Sequence, residues 1–227
     1  MQNTPTPEFL VIQAAPEAGA GTLGALSDTA RLVGQAGGAL LAAAAWPDVH
    51  ALEPGSIAYT TVLAKWPDRA ALDRFWTDLG NDARAASLLG DAQVRVLAAT
   101  GLPEAGLPGD PLPTAASVDL ARFDGTPAYM IIDGRAYDAD RLAAYREIIF
   151  ELMLERSSYY LVITDAAGVR ILQGAWDEQI FAISKWPSLA HGRDFWFCER
   201  YQTEAIPTRT GAGRFTVNLF EGAETGT

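Results

Sequence analysis

The stretch KWPSLAHGRDFW (Lys185–Trp196) nearly repeats KWPDRAALDRFW (Lys65–Trp76). The two Lys-Trp-Pro triplets are 185 − 65 = 120 residues apart, and the two Phe-Trp pairs are 195 − 75 = 120 apart. The chain has six tryptophans in 227 residues, and four of them lie in these two copies, so the constant offset signals an internal repeat. In each copy a strand-like run ends at the proline: IAYTTVLAKW before Pro67 and QIFAISKW before Pro187. Proline offers no N–H and keeps the preceding residue extended, which ends a strand there. Leu72, Phe75, Trp76 and Leu79 then fall at helical spacing, predicting an apolar helix face immediately downstream.

Working outward, the same shift lays FLVIQAA (9–15) on YMIIDGR (129–135), two short apolar runs expected as buried strands. Leu23, Leu26, Ala30 and Val33 predict a helix face over 22–38, closed by Gly37-Gly38. Leu142, Tyr145, Ile149 and Leu152 predict its counterpart, with Asp138 as N-cap. ALLAAAAW and YYLVIT are the second strands, DAAG (165–168) a turn, and AQVRVLAA and GRFTVNLF the last strands. At an offset of 120, Val96 lies on Thr216 and Leu97 on Val217.

Each half thus reads β-α-β-β-α-β, the ferredoxin-like unit, and the fold class is α+β. The expected division is 7–100 for the first unit, 101–126 for a Pro/Gly-rich linker and 127–222 for the second. One such unit leaves a sheet face open, and two can cover each other. The expectation is an intrachain pseudo-dimer packed sheet to sheet, with further self-association open.

Composition narrows the function classes. With 49% hydrophobic and 20% charged residues, the chain has the balance of a soluble globular protein. No apolar run approaches the ~20 residues that span a bilayer. The start MQNTPTPEFLVIQAA lacks the basic residues of an export signal, and Cys198, as a lone cysteine, forms no intramolecular disulfide. These features predict a cytoplasmic protein without a membrane partner. A net charge of −11 argues against a nucleic-acid partner.

The second half also carries a set of single residues: Tyr129, Asp138, Gly174-x-Trp176, Trp186-Pro187-Ser188, Tyr201-Gln202, Arg209 and Glu221-Gly222. As a set, over residues 127–222, they resemble an uncharacterised family of the dimeric α+β barrel superfamily. The resemblance implies two sheets packed as a barrel and a small-molecule pocket. The superfamily includes cofactor-independent monooxygenases, cyclases and isomerases, and haem enzymes that handle chlorite or peroxide, so it implies no single reaction.

In the first half the polar members are gone. At an offset of 120, Tyr201 falls on Asn81, Gln202 on Asp82, Arg209 on Leu89, His191 on Ala71 and Asp133 on Gln13. One pocket, in the second half, is expected. Arg209 offers a rigid guanidinium fork for a carboxylate or enolate oxygen, against the alternative of a structural ion pair with Glu204, Glu221 or another acid. Tyr201 is a hydrogen-bond donor or a proton carrier, against the alternative of a packed tyrosine. His191 has the natural pKa for proton transfer, against the alternative of an exposed helical histidine. Asp133, Tyr145, Trp176, Trp196 and Glu221 complete the expected substrate-binding set, although aromatic residues kept in both halves are more often core. His50 lies in the polar loop WPDVHALEPG and reads as surface, and Cys198 reads as an unreactive buried thiol.

His191 and Asp194 share helical spacing, but a zinc site needs three or four ligands. No metal and no cofactor are expected. GAGTLG (19–24) lacks the dinucleotide-binding spacing and reads as a loop. Two readings follow. One is an enzyme acting without cofactor on a small carbonyl or phenolic compound. The other is a binding or structural module with the same groups tied up internally.

Overall fold

The computed structural model describes residues 6–106, 109 and 111–223. Residues 1–5, the start of the segment read against an export signal, and residues 107, 108 and 110 of the expected linker lie outside them. The fold is mixed α+β with two antiparallel five-stranded sheets. The first half supplies β1 (Glu8–Ala14), α1 (Ala20–Gln35), β2 (Ala39–Ala44), β3 (His50–Ala51), β4 (Thr60–Trp66), α2 (Arg69–Leu79) and β5 (Val94–Thr100). The second supplies β6 (Ala128–Ala136), α3 (Ala139–Glu155), β7 (Tyr159–Asp165), β8 (Val169–Gln173), β9 (Ile180–Trp186), α4 (Leu189–Phe197), α5 (Ile206–Arg209) and β10 (Gly213–Glu221). Between them, Ala115–Ser117 and Leu120–Arg122 form short 3-10 turns, where the Pro/Gly-rich composition predicts an ordered but non-helical linker. Among the described residues, no helix is long and apolar enough to cross a membrane.

The strand orders are β2-β4-β1-β5-β8 and β3-β10-β6-β9-β7. Register matches across the halves: Glu8 faces Trp66, and 120 residues later Ala128 faces Trp186. The bulge at Leu41 in β2 recurs at Leu161 in β7. The last strands depart from this offset. Ile12 faces Val96, whereas Ile132 faces Val217, so the offset has grown to 217 − 96 = 121. The expected alignment of Val96 with Thr216 is therefore one residue off. The π-helical turn Tyr201–Ala205 lies on the path, and its wider i→i+5 ring takes up an extra residue.

The fifth strand of each sheet comes from the other half. Ala51 faces Asn218 and His50 faces Leu219, so β3 joins the second sheet. Ile171 faces Leu97 and Arg170 faces Ala98, so β8 joins the first. His50 is thus in a strand rather than a surface loop. Neither exchange is visible in the pattern of either segment, because a two- or five-residue edge strand has little apolar periodicity of its own.

Three apolar layers result. Phe9, Val11, Leu63, Tyr129, Ile131, Ile183 and Phe220 form the middle one, between the sheets. Leu10, Leu26, Phe75 and Leu88 fill the layer between the first sheet and its helices. Met130, Ile149, Phe195 and Val217 belong to the corresponding layer of the second. The repeated stretch has the same task in both outer layers. Trp66 packs on Phe75, and Trp186 on Phe195, each with ring centroids 4.7 Å apart. Asp68 and Ser188 cap the helices that follow, as Asp138 caps α3. In α1 the buried face is Ala25, Leu26, Thr29, Ala30 and Val33, while Leu23 is exposed, so the face is rotated from the expected stripe. GAGTLG opens α1 rather than forming a loop.

Candidate functional site

A cavity of about 1050 Å³ lies between α3 and the outer face of the second sheet. Its inner wall is largely apolar, with Ile132, Leu142, Ile149, Tyr160, Ala182 and Val217. Glu147, Glu151, Asp165 and Gln179 also line it and are exposed, giving it a polar rim. Arg209, Tyr145, Trp196 and Phe215 line it too and form one polar-aromatic cluster.

Arg209 ends α5 and is 6% exposed. Its Cζ lies 5.7 Å from the Tyr145 ring centroid, 5.4 Å from Trp196 and 5.5 Å from Phe215. Its Nη2 donates to Glu53 Oε2, and its Nε is buried without a hydrogen-bond partner. Burial alone would pull the guanidinium pKa down, but the Glu53 hydrogen bond and the neighbouring tyrosines more than offset that, and the net direction is up. The group stays charged. Glu53 belongs to the first half, 156 positions away in sequence, on the segment that leaves β3 along β10. That segment is held by Leu52 N–H to the Val217 carbonyl and by Asn218, whose side chain bonds Tyr59 N and Ile57 O.

Behind this pair, the Tyr145 and Tyr201 hydroxyls are 3.0 Å apart. Burial pushes both pKa values up, with Arg209 offsetting part of the rise. Both phenols are therefore neutral donors near pH 7, and neither is a base.

Of the expected site residues, the structure gathers Arg209, Tyr145, Tyr201 and Trp196. Tyr201 is fully buried and does not line the cavity; it lies behind the lining residues Tyr145, through the hydroxyl contact, and Trp196, whose ring centroid is 4.9 Å from its own. The others are elsewhere. His191 is in the first turn of α4, with Nδ1 2.8 Å from Ser188 Oγ, and does not line the cavity. Asp133 faces the other sheet, where Arg95 Nη2 is 2.8 Å from its Oδ2. It shares the β6 face of Tyr129 and Ile131, because side chains two apart on a strand point the same way. Trp176 packs between the sheets, its ring centroid 6.2 Å from Phe181. Glu221 is exposed at the end of β10. The structural ion pair weighed as the alternative for Arg209 is present, but with another acid than the two named: Glu204 pairs with Arg200, and the partner of Arg209 is Glu53.

Glu53 and Phe215 are the residues sequence reasoning missed. Phe215 was hidden by the one-residue slip in the last strand. Glu53 had a signal only in retrospect: 120 positions on stands Gln173, in the reciprocal exchanged strand. Among the described residues, no three His, Cys, Asp or Glu side chains are grouped to hold a metal. Neither histidine lines the cavity, so a haem iron would find no imidazole ligand there.

The comparisons with known proteins add little chemistry. No curated protein shows significant sequence similarity to this chain. Among solved structures, a chlorite dismutase from Candidatus Nitrospira defluvii, in complex with imidazole, is 10% identical, with a TM-score of 0.47 over 98% of this chain and 92% of that one. A candidate monooxygenase from Fusobacterium nucleatum subsp. nucleatum is 8% identical, with a TM-score of 0.49 over 96% of this chain and 93% of that one. In sequence, residues 127–223, the half that carries Arg209, Tyr145 and Tyr201, match the family described as a domain of unknown function, DUF1330.

Proposed function

We propose that this is a small-molecule-binding protein that takes an elongated, mostly apolar carbonyl or phenolic compound into the cavity under α3. The ligand oxygen is held by Arg209 and the Tyr145 hydroxyl. The observation that carries this reading is the buried Arg209 Nε without a partner beside an open cavity. A ligand oxygen would satisfy it. The charge balance selects the oxygen. Arg209 is already neutralised by Glu53, so a ligand carboxylate would leave a buried net negative charge, which is costly. A neutral carbonyl or phenol carries no such penalty.

The same two donors would stabilise an enolate, which is the basis for an isomerase, cyclase or monooxygenase reading. That reading has no evident base in the Arg209 cluster among the described residues: the tyrosines are neutral, Glu53 is engaged by Arg209, His191 is elsewhere, and the carboxylates of Glu147, Glu151 and Asp165 are on the exposed rim. Binding is the function the geometry supports best. We propose further that the chain is a tandem pair of ferredoxin-like units, 7–100 and 127–222 joined through 101–126, forming an intrachain barrel. The offset of 120 that holds through the strand pairs β1–β4 and β6–β9 and the reciprocal exchange of β3 and β8 favour it, with the first unit structural and the second bearing the site.

The test is calorimetric titration with alkyl aryl ketones, alkylphenols and matched carboxylates. The proteins are wild type and the double variant Arg209→Leu/Glu53→Gln, which removes the pair without stranding a charge. Saturable binding of ketones or phenols by wild type alone is expected. Equal binding by both proteins, or preference for carboxylates, overturns the assignment.

A further inference from the structure

The chain has fifteen arginines but only two lysines, Lys65 and Lys185. They occupy matching places in β4 and β9. Lys185 is flanked in register by Tyr129 on β6 and Tyr159 on β7. Lys65 is flanked by Phe9 on β1 and Ala39 on β2. Phe9 and Tyr129 belong to the layer between the sheets, so the two rows face one another. They enclose a cleft of about 230 Å³ lined by Lys65, Lys185, Tyr129, Tyr159 and Glu104.

Positive charge converges there with little to answer it. Glu104 is 3.7 Å from Lys65 Nζ, but its side chain is 82% exposed, and such a pair contributes little. Lys185 has no carboxylate within ion-pair distance among the described residues, and its Nζ lies 5.1 Å from the Phe123 ring centroid. Burial, and then the charge of Lys65, pull the Lys185 ammonium down. Burial keeps both tyrosine hydroxyls protonated, and neither bonds to a described residue. Two facing ammonium groups and two free phenol donors around a small polar space suit an anion. The volume is below that of a drug-sized ligand site. Lysine, a compact charge on a flexible stem, suits a small anion in a confined space better than the planar arginine fork.

We propose that this cleft binds a small oxyanion, a phosphate or carboxylate group, bridged by Lys65 and Lys185 and hydrogen-bonded by Tyr129 or Tyr159. The site is separate from the Arg209 cavity, although Leu102 and Tyr160 line both. It does not depend on the function proposed for that cavity.

With two lysines in the chain, NMR of protein carrying [13C]lysine reports this site alone. Inorganic phosphate, methyl phosphate and acetate are titrated at constant ionic strength against chloride. Saturable shifts of both lysine Cε signals are expected. Phosphate together with methyl phosphate would identify a phosphate head group, and acetate alone a carboxylate. Lys185→Met and Lys65→Met should each weaken binding about tenfold, the loss of one charge-assisted hydrogen bond. The Arg209→Leu/Glu53→Gln variant should bind like wild type. Shifts that match chloride without saturation overturn the proposal on wild type alone. So do lysine variants that bind unchanged, or loss of binding in the Arg209 variant, which would put the anion in the other cavity.

Discussion

The outer layers of the two halves share a backbone plan and differ in a few side chains. In the second half Arg209 meets Glu53, which arrives from the first half. In the first half, counting with the offset of 121 that holds after the π turn, Leu88 stands where Arg209 does. The counterpart of Glu53 is Gln173, and its Nε2 donates to the Leu88 carbonyl at 2.8 Å. Tyr145 corresponds to the buried Ala25. One layer is thus a filled core and the other an open cavity with a buried ion pair. The difference teaches that a buried charge is tolerated here only where the other half delivers its partner.

The largest effect is expected from Leu88→Arg. Leu88 is fully buried, and a guanidinium there meets Gln173 instead of a carboxylate. A loss of about 4 kcal/mol or more in urea unfolding follows from an unpaired buried charge. Adding Gln173→Glu should restore only part of it, because Leu26, Phe75 and Leu79 already fill the layer. Full restoration would break the comparison.

Arg209→Leu should cost about 3 kcal/mol by leaving Glu53 without its partner, and adding Glu53→Gln should recover most of that. Equal stability of the single and double variants would mean that the pair is not what holds this layer.

A third outcome concerns pH. Tyr145 and Tyr201 have folded pKa values raised above the ordinary 10.0, as do Tyr129 and Tyr160. Their contribution is complete below pH ~10 and is lost as pH rises above it, because the unfolded chain then releases protons that the folded one retains. Each such tyrosine steepens the loss by about 1.4 kcal/mol per pH unit. Unfolding followed from pH 9 to 11 should show stability falling only in the upper part, and less steeply for Tyr145→Phe. A flat profile would contradict the buried, neutral phenols.

Smaller still, Tyr145→Phe should lose about 1 kcal/mol of stability near pH 7, one hydrogen bond to Tyr201, and several-fold in ligand affinity. His191→Ala should change stability by less than about 1 kcal/mol and leave ligand affinity unaltered, since among the described residues the His191 side chain bonds Ser188 and does not line the cavity. An affinity loss there would move the site toward α4.

The sequence by itself determined a mixed α+β chain with strands and helices in matching order. Pro67 and Pro187 end their strands, Asp138 caps its helix, and the Trp-Phe pairs recur, all through forces acting within a few residues. It also singled out Arg209 and Tyr201 as candidates, because the first half has other residue types at those places, and Tyr145 and Trp196 as aromatic candidates, although Trp196 has its counterpart in Trp76. Only the tertiary structure decided what those residues meet. The exchange of β3 and β8 is long-range pairing by short edge strands, which local pattern does not encode, and it is what brings Glu53 to Arg209. Trp176, in the connection between β8 and β9, packs between the sheets, and Asp133 on β6 pairs with Arg95 of the other sheet, so neither reaches the cavity; for Asp133 the reason is strand alternation. A strand sends alternate side chains to opposite faces, and which face is cavity and which is sheet-to-sheet core is set by what packs against it.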